Sequence, residues 1–305
     1  MSHYFASTIL MVRPASFNFN TETSETNSFQ QVGVQAVNAR DKAITEFDAM
    51  VQQLLKSGID VRVMHDQSSP VKPDAIFPNN WFSTHQGQQL VLYPMFAENR
   101  RLERDPQIIN YLKASFAIQK VIDLTPHEQH GKYLEGTGSI VFDHKNRIAY
   151  GCKSPRTSDT LFENISNQLG YEPFLFEAFD GLGKPVYHTN VVMCFIPGKA
   201  IICMESLQEE DQVKLANKMK DLSMEWVSIT RRQMEDFAGN MLCLRNSAGN
   251  YFLILSERAF NSLQPNQMDS LKEVCDLLVI SIPVIETIGG GGARCMIAEI
   301  FLPPA

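Results

Sequence analysis

The chain has 305 residues, 44% hydrophobic and 20% charged, an ordinary globular balance with enough length for a large core. A net charge of −7 argues against a nucleic-acid binder, which would normally carry a basic face. No apolar run approaches the roughly 20 residues that span a bilayer, and Met1-Ser2-His3-Tyr4 does not open a secretory leader. The six cysteines, at 152, 194, 203, 243, 275 and 295, form no CxxC pair. In a chain this long they read as reduced thiols of a cytoplasmic protein.

Helices and strands alternate along the sequence. Helical spacing predicts helices over residues 30–56, 105–114, 158–169, 207–222 and 265–277, each followed by a short apolar strand. The strand after the first helix centres on Val61. The next four centre on Val121, Phe174, Val227 and Ile280, a constant interval of 53 residues (174 − 121, 227 − 174, 280 − 227). Fixed periodicity marks a modular architecture. After each strand comes a polar loop and then a hairpin, for example 139–142 with 147–151, 191–195 with 200–204, and 241–244 with 251–255. The fifth module has a single strand, 296–302, whose missing partner is predicted to be the N-terminal strand, 7–12. That pairing would close a ring of five modules in one domain, 1–305, with the five polar loops converging on its axis.

The loops carry the chemistry. They read Phe77-Pro78-Asn79-Asn80-Trp81-Phe82, Tyr133-Leu134-Glu135-Gly136-Thr137-Gly138-Ser139, Tyr187-His188-Thr189-Asn190, Phe237-Ala238-Gly239-Asn240 and Gly289-Gly290-Gly291-Gly292-Ala293-Arg294-Cys295. Glycine permits unusual backbone angles and close approach of a ligand, and a thiol beside a cation can be held as thiolate. A cysteine, a histidine and an orienting carboxylate form a nucleophile–base set by role, here Cys295, His188 and Glu135. Each alone has a plain structural reading. Their recurrence at equivalent places of a repeat favours function. His127-Glu128-Gln129-His130 spaces its histidines by three, where the helical zinc motif needs four, so no metal is assigned. The order Glu135, His188, Cys295 also differs from a papain-like protease.

These motifs resemble the guanidine-modifying, or pentein, superfamily: arginine deiminase, dimethylarginine dimethylaminohydrolase, agmatine deiminase and the glycine amidinotransferases. The resemblance covers nearly the whole chain. It rests on Phe77-Pro78-Asn79-Asn80, Leu134-Glu135-Gly136-Thr137-Gly138, His188-Thr189-Asn190 and Gly291-Gly292-Ala293-Arg294-Cys295. It implies an α/β fold, the five-bladed α/β propeller with pseudo-fivefold symmetry, its last blade completed by the N-terminal strand. It also implies Cys295 as nucleophile, His188 as acid/base, Glu135 as its orienter and Arg156 as the grip on an amino-acid carboxylate. Phe77 and Asn240, from the converging loops, join the substrate-binding set. No cofactor is implied.

The departures are informative. Deiminases carry aspartates where this chain has Asn80 and Asn190, and those anions hold a cationic guanidinium. Losing them costs about 1.5–3 kcal/mol per charged hydrogen bond. Asparagine offers a donor and an acceptor, which suits a neutral ureido group. The chain therefore resembles the citrulline-utilisation hydrolase branch, whose N-terminal pattern looks like Met11-Val12-Arg13-Pro14-Ala15-Ser16-Phe17 with Asn20 following. Hydrolysis of citrulline or a close analogue, to ornithine, carbon dioxide and ammonia, is the expectation. Two alternatives stay open: a deiminase or amidinotransferase for a cationic guanidine, and a non-catalytic relative, of which one branch acts in ribosome assembly. The expected partner is a small amino acid, without nucleic acid or membrane. Oligomeric state is left open, self-association included. The polar stretch 17–27 is placed to cover the pocket.

Overall fold

The computed structural model describes residues 4–30 and 38–305. Fifteen strands are found among these residues. They are β1 (Thr8–Arg13), β2 (Asp60–His65), β3 (Phe82–His85), β4 (Gln89–Leu92), β5 (Lys120–Asp123), β6 (Ile140–Asp143), β7 (Ile148–Cys152) and β8 (Glu172–Phe176). The rest are β9 (Met193–Ile196), β10 (Lys199–Ile202), β11 (Glu225–Ser228), β12 (Leu242–Arg245), β13 (Tyr251–Ser256), β14 (Asp276–Ile280) and β15 (Ala298–Ile300). They form five three-stranded sheets, β15-β1-β2, β3-β4-β5, β6-β7-β8, β9-β10-β11 and β12-β13-β14.

All five sheets share one pattern. The middle strand runs antiparallel to the first and parallel to the third. A tight turn suffices for the antiparallel pair, but a parallel pair needs a crossover connection. Helices supply it. The main ones, in an order that starts at α1 (Thr21–Ser24), are α2 (Ala39–Lys56), α4 (Pro106–Ser115), α6 (Asp159–Gln168), α7 (Glu209–Asp221) and α10 (Pro265–Lys272). Short helices α3 (Glu98–Arg101), α5 (Gly136–Ser139), α8 (Arg231–Glu235) and α9 (Glu257–Ser262) lie between them. In α2 the buried residues are Ala39, Ala43, Phe47, Met50, Val51 and Leu54, one stripe at helical spacing turned to the core.

The N-terminal strand does pair with the last one, Thr8 opposite Ile300, Ile9 opposite Glu299 and Leu10 opposite Ala298. Two helices differ from the sequence reading. The first begins at Ala39, behind the left-handed Asn38, and part of its expected start lies outside the described residues. The last stops at Lys272, because a turn must free the chain before β14 begins at Asp276.

Burial runs from the first strand outward. β3 and β6 are buried throughout, whereas β5 and β11 each bury one residue of four. First strands of different sheets lie side by side: β15 beside β3, β6 beside β9 and β9 beside β12. The largest core cluster joins three sheets, through residues such as Val141, Tyr150, Met193, Ile201, Cys243 and Leu253. No helix among the described residues is long and apolar enough to cross a membrane. All six cysteines are free thiols.

Candidate active site

Four of the five polar loops end in one-turn helices that feed the first strands; the loop ahead of β12 does not. Pro78–Asn80 precedes β3, α5 precedes β6, Thr189–Val191 precedes β9 and Ala293–Met296 precedes β15. A helical turn at this place points side chains across the strand ends. Asn80 and Asn190 lie within such turns, Glu135 and His188 cap them, and Cys295 sits in the last. The turn at 78–80 packs on those at 136–139 and 293–296, and the turn at 136–139 packs on that at 189–191.

Close packing explains two glycines. A Cβ on Gly138 would sit 2.4 Å from Asn80 Nδ2 and 2.7 Å from the His188 ring, so only glycine leaves those groups room. Gly290 adopts φ +64°, the left-handed region. It is the one glycine of the 289–292 run to do so. The others serve contact: Gly289 and Gly291 lie against the Phe77 ring.

A cavity with about 280 Å³ of atom-free space, open solvent at its mouth included, lies at this meeting point. Cys295, His188, Asn80, Arg156 and Phe77 line it, as sequence reasoning grouped them. Glu135, Asn190 and Asn240 stand just behind. Glu135, wholly buried, accepts a hydrogen bond from His188 Nε2 at 2.8 Å and from the Phe96 amide at 3.0 Å. Because a carboxylate can only accept, Nε2 carries the proton and the lone pair of the neutral ring is on Nδ1. Asn240 Nδ2 donates to the Cys295 sulfur at 3.3 Å and to the Asn190 carbonyl at 3.0 Å, and Asn190 Nδ2 approaches the sulfur at 3.7 Å. Asn240 therefore touches the thiol from behind and does not line the cavity.

Electrostatics set the resting protonation. Burial pulls the Glu135 carboxyl up, but Arg156, the His188 hydrogen bond and Arg100 outweigh it and hold the group below its ordinary value. Burial pushes His188 down to about 4 against the opposing pull of Glu135. Burial pushes the Cys295 thiol up, more than Asn240, Arg294 and Asn190 pull it down. The resting pair is thus a neutral thiol and a neutral imidazole. Arg294 is buried, 6% exposed, and turns to another cavity, shared with His144 and Glu299.

Two lining residues, Asp74 and Arg100, escaped the sequence reading. Asp74 stands three residues before Phe77 in the same loop, which was an available signal. Arg100 lies in the charged run Glu98-Asn99-Arg100-Arg101, which reads as a solvated face. The structure buries it to 3% exposure. Part of the stretch 17–27 reaches the pocket: Thr23 and Asn27 line it, and Asn20 Nδ2 donates to Asp74 Oδ2 at 2.7 Å. Arg156 donates to the Thr26 hydroxyl at 2.7 and 3.0 Å, to the Thr23 carbonyl at 3.0 Å and to Glu135 at 3.4 Å. Four polar side-chain atoms near the cavity find no hydrogen-bond partner among the described residues: Asp74 Oδ1, Asn79 Oδ1, Asn80 Nδ2 and Asn190 Oδ1. No cluster of possible metal ligands occurs among the described residues.

Solved structures share this fold over nearly the whole chain. The N-terminal domain of ArgZ bound to substrate, an arginine dihydrolase from the ornithine–ammonia cycle in cyanobacteria, superposes with TM-score 0.77 at 16% identity, covering 97% of this chain and 98% of that one. AgrE with L-arginine gives 0.76 at 17% identity, over 97% of this chain and 40% of that one. The dimethylarginine hydrolase DDAH of Pseudomonas aeruginosa with citrulline gives 0.67 at 13% identity, over 98% and 100%. At these identities the likeness is one of fold. By sequence the chain belongs to the family described as N,N dimethylarginine dimethylhydrolase, eukaryotic, whose model matches residues 13–302. No curated protein matches it by sequence.

Proposed function

We propose that the protein is a cysteine-dependent hydrolase of the ureido group of citrulline or a close analogue, and that its five sheets are the blades of a pseudo-fivefold propeller with the site on the axis. One observation carries the reading: Cys295 and the Glu135-oriented His188 line one cavity together with the neutral amide of Asn80. Nearby, one carboxamide leaves a donor unfilled (Asn80 Nδ2) and another an acceptor (Asn190 Oδ1). A ureido group supplies the complement of both, a carbonyl oxygen and an NH₂.

His188 Nδ1 takes the thiol proton as substrate binds, and the sulfur adds to the ureido carbon. The carbonyl π pair moves onto oxygen. On collapse the pair returns, the C–N bond breaks, and the departing nitrogen takes the proton from His188 and leaves as ammonia. Water, deprotonated by the same ring, then attacks the thiocarbamate. The C–S bond breaks, the thiol is restored, and the released carbamate falls apart to ornithine and carbon dioxide. The buried Glu135 stabilises the imidazolium formed on the way. Arg156 and Asp74 suit the carboxylate and ammonium of the amino-acid end. To reach a substrate carboxylate, Arg156 would exchange its contacts with Thr23 and Thr26. No cofactor enters the scheme.

The likeness to an arginine dihydrolase and membership of a dimethylarginine hydrolase family favour a second reading, a cationic guanidino substrate. Incubation with citrulline, arginine, agmatine and methylated arginines, measuring ammonia and ornithine for each, separates the two. Citrulline is expected to be consumed, and Cys295→Ser to abolish it. Turnover of arginine with citrulline untouched would overturn the ureido reading.

A further inference from the structure

Arg100 makes an unusual set of contacts for a residue lining this cavity. Its Nε and Nη2 donate to the two carboxylate oxygens of Glu103 at 2.8 and 2.9 Å, a bidentate clamp sealed from solvent. Asp74 Oδ2 lies 3.8 Å from Nε, and Nη2 reaches the Phe77 carbonyl at 3.4 Å. The remaining nitrogen, Nη1, donates to Asn80 Oδ1 at 2.9 Å. Arginine has no acceptor, so the Asn80 atom it touches must be the oxygen. The amide nitrogen is thereby forced to the opposite side. There it is buried with no partner among the described residues, beside the Gly138 gap that it shares with the His188 ring.

This orientation discriminates by itself. A guanidinium presents only N–H donors and would meet a donor at Asn80. A ureido group can present its oxygen. A hydrogen bond accepted by Oδ1 from a cation also polarises the amide and strengthens its N–H as a donor.

Resting on the ureido reading above, we propose that Arg100, clamped by Glu103, is a positioning residue that locks Asn80 as a donor, and that Asn80 Nδ2 binds the ureido oxygen and holds it as it becomes an oxyanion. As the sulfur–carbon bond forms, the carbonyl pair moves to that oxygen. Asn80 keeps its proton and donates a hydrogen bond. When the pair returns, the C–N bond breaks and ammonia leaves with the proton carried by His188. Asn80 is then a catalytic residue, and Arg100 and Glu103 act through it.

The test measures kcat and KM for citrulline, and inhibition by arginine, in wild type, Asn80→Ala, Glu103→Gln and Arg100→Lys. Removing an oxyanion donor typically lowers kcat about 10²- to 10³-fold. Asn80→Ala is expected to fall in that range with a much smaller change in KM. Glu103→Gln and Arg100→Lys, which free the amide to turn over, are expected to lower kcat and to let arginine compete more strongly against citrulline. A merely structural role would leave that selectivity unchanged. Folded Asn80→Ala protein with kcat within about threefold of wild type, on the scale of that loss, would overturn the proposal while leaving the ureido reading intact. So would unaltered selectivity in a folded clamp variant. If the clamp variants fail to fold, the Cys295→Ser protein with bound citrulline decides by crystallography. The substrate oxygen at Asn80 Nδ2 supports the lock, and the substrate NH₂ there refutes it. Wild-type protein that leaves citrulline untouched removes the underlying reading and the lock together.

Discussion

Glu135 determines where the proton on His188 sits, and so which face of the ring can accept another. With Nε2–H committed to the carboxylate, Nδ1, which lies beside Gly138, is the ring nitrogen left to accept. The thiol is not ionised in advance, since burial outweighs Asn240, Arg294 and Asn190 in setting it above its ordinary value. The thiolate is the charged form, and burial disfavours charge, so the midpoint moves upward. Alkylation of Cys295 by iodoacetamide in the free protein should therefore rise with pH through a midpoint above that of an ordinary thiol. Asn240→Ala, which removes a hydrogen bond to the sulfur, should move the midpoint higher still. A midpoint near neutrality would instead indicate a resting thiolate–imidazolium pair. At this scale the sequence was partly legible. Residues of rare reactivity in polar loops, such as Cys295 and His188, stand out in a string of letters. Arg100 does not, because a charge in a four-residue helix looks solvated until tertiary packing covers it.

The short turns ahead of the first strands matter more to the site than the long helices do. In α5, Gly138 has no need of an unusual φ; its value lies in the space it leaves for Asn80 Nδ2 and the His188 ring. Gly138→Ala is expected to displace both groups and lower kcat/KM about 10²-fold, the usual cost of a misplacement near 1 Å. Circular dichroism should show the fold retained. Unchanged kinetics would mean that the ring and the amide tolerate the shift, and that catalysis does not depend on the gap at residue 138. The module interval was readable because the third strands, though half-exposed, are short apolar words set between helix stops and polar loops. The turns themselves, three or four residues long, are set by packing between modules. No periodicity reveals them. The same limit hid the early end of α10, where the parallel register with β13 requires strand to begin at Asp276.

Over the whole molecule, buried histidines tie stability to pH. His85 is held down to about 3, by burial and then by Arg147, and His188 to about 4. Both rings bind fewer protons folded than unfolded below about pH 6.5. Stability from them is complete above that value and falls as pH drops, by at most about 1.4 kcal/mol per pH unit for each ring. Buried carboxyls such as Glu286, pushed up to about 7 chiefly by burial, act in the opposite sense over the same range, so the histidine contribution shows as a difference: from pH 7 to pH 5 the urea midpoint of wild type should fall relative to that of His85→Gln. A difference that stays constant with pH would show that the His85 ring is protonated in the native state. The pairing of β1 with β15 has a consequence for how the molecule comes to life. Residues 8–10 must find residues 298–300 across nearly the full contour of the chain, and such distant closures form late. The strand that follows Cys295 is held by that closure alone among its sheet partners. A chain with four sheets in place and the fifth unsealed would look nearly native to optical probes, yet its Cys295 thiol would hang on a loose tail away from His188.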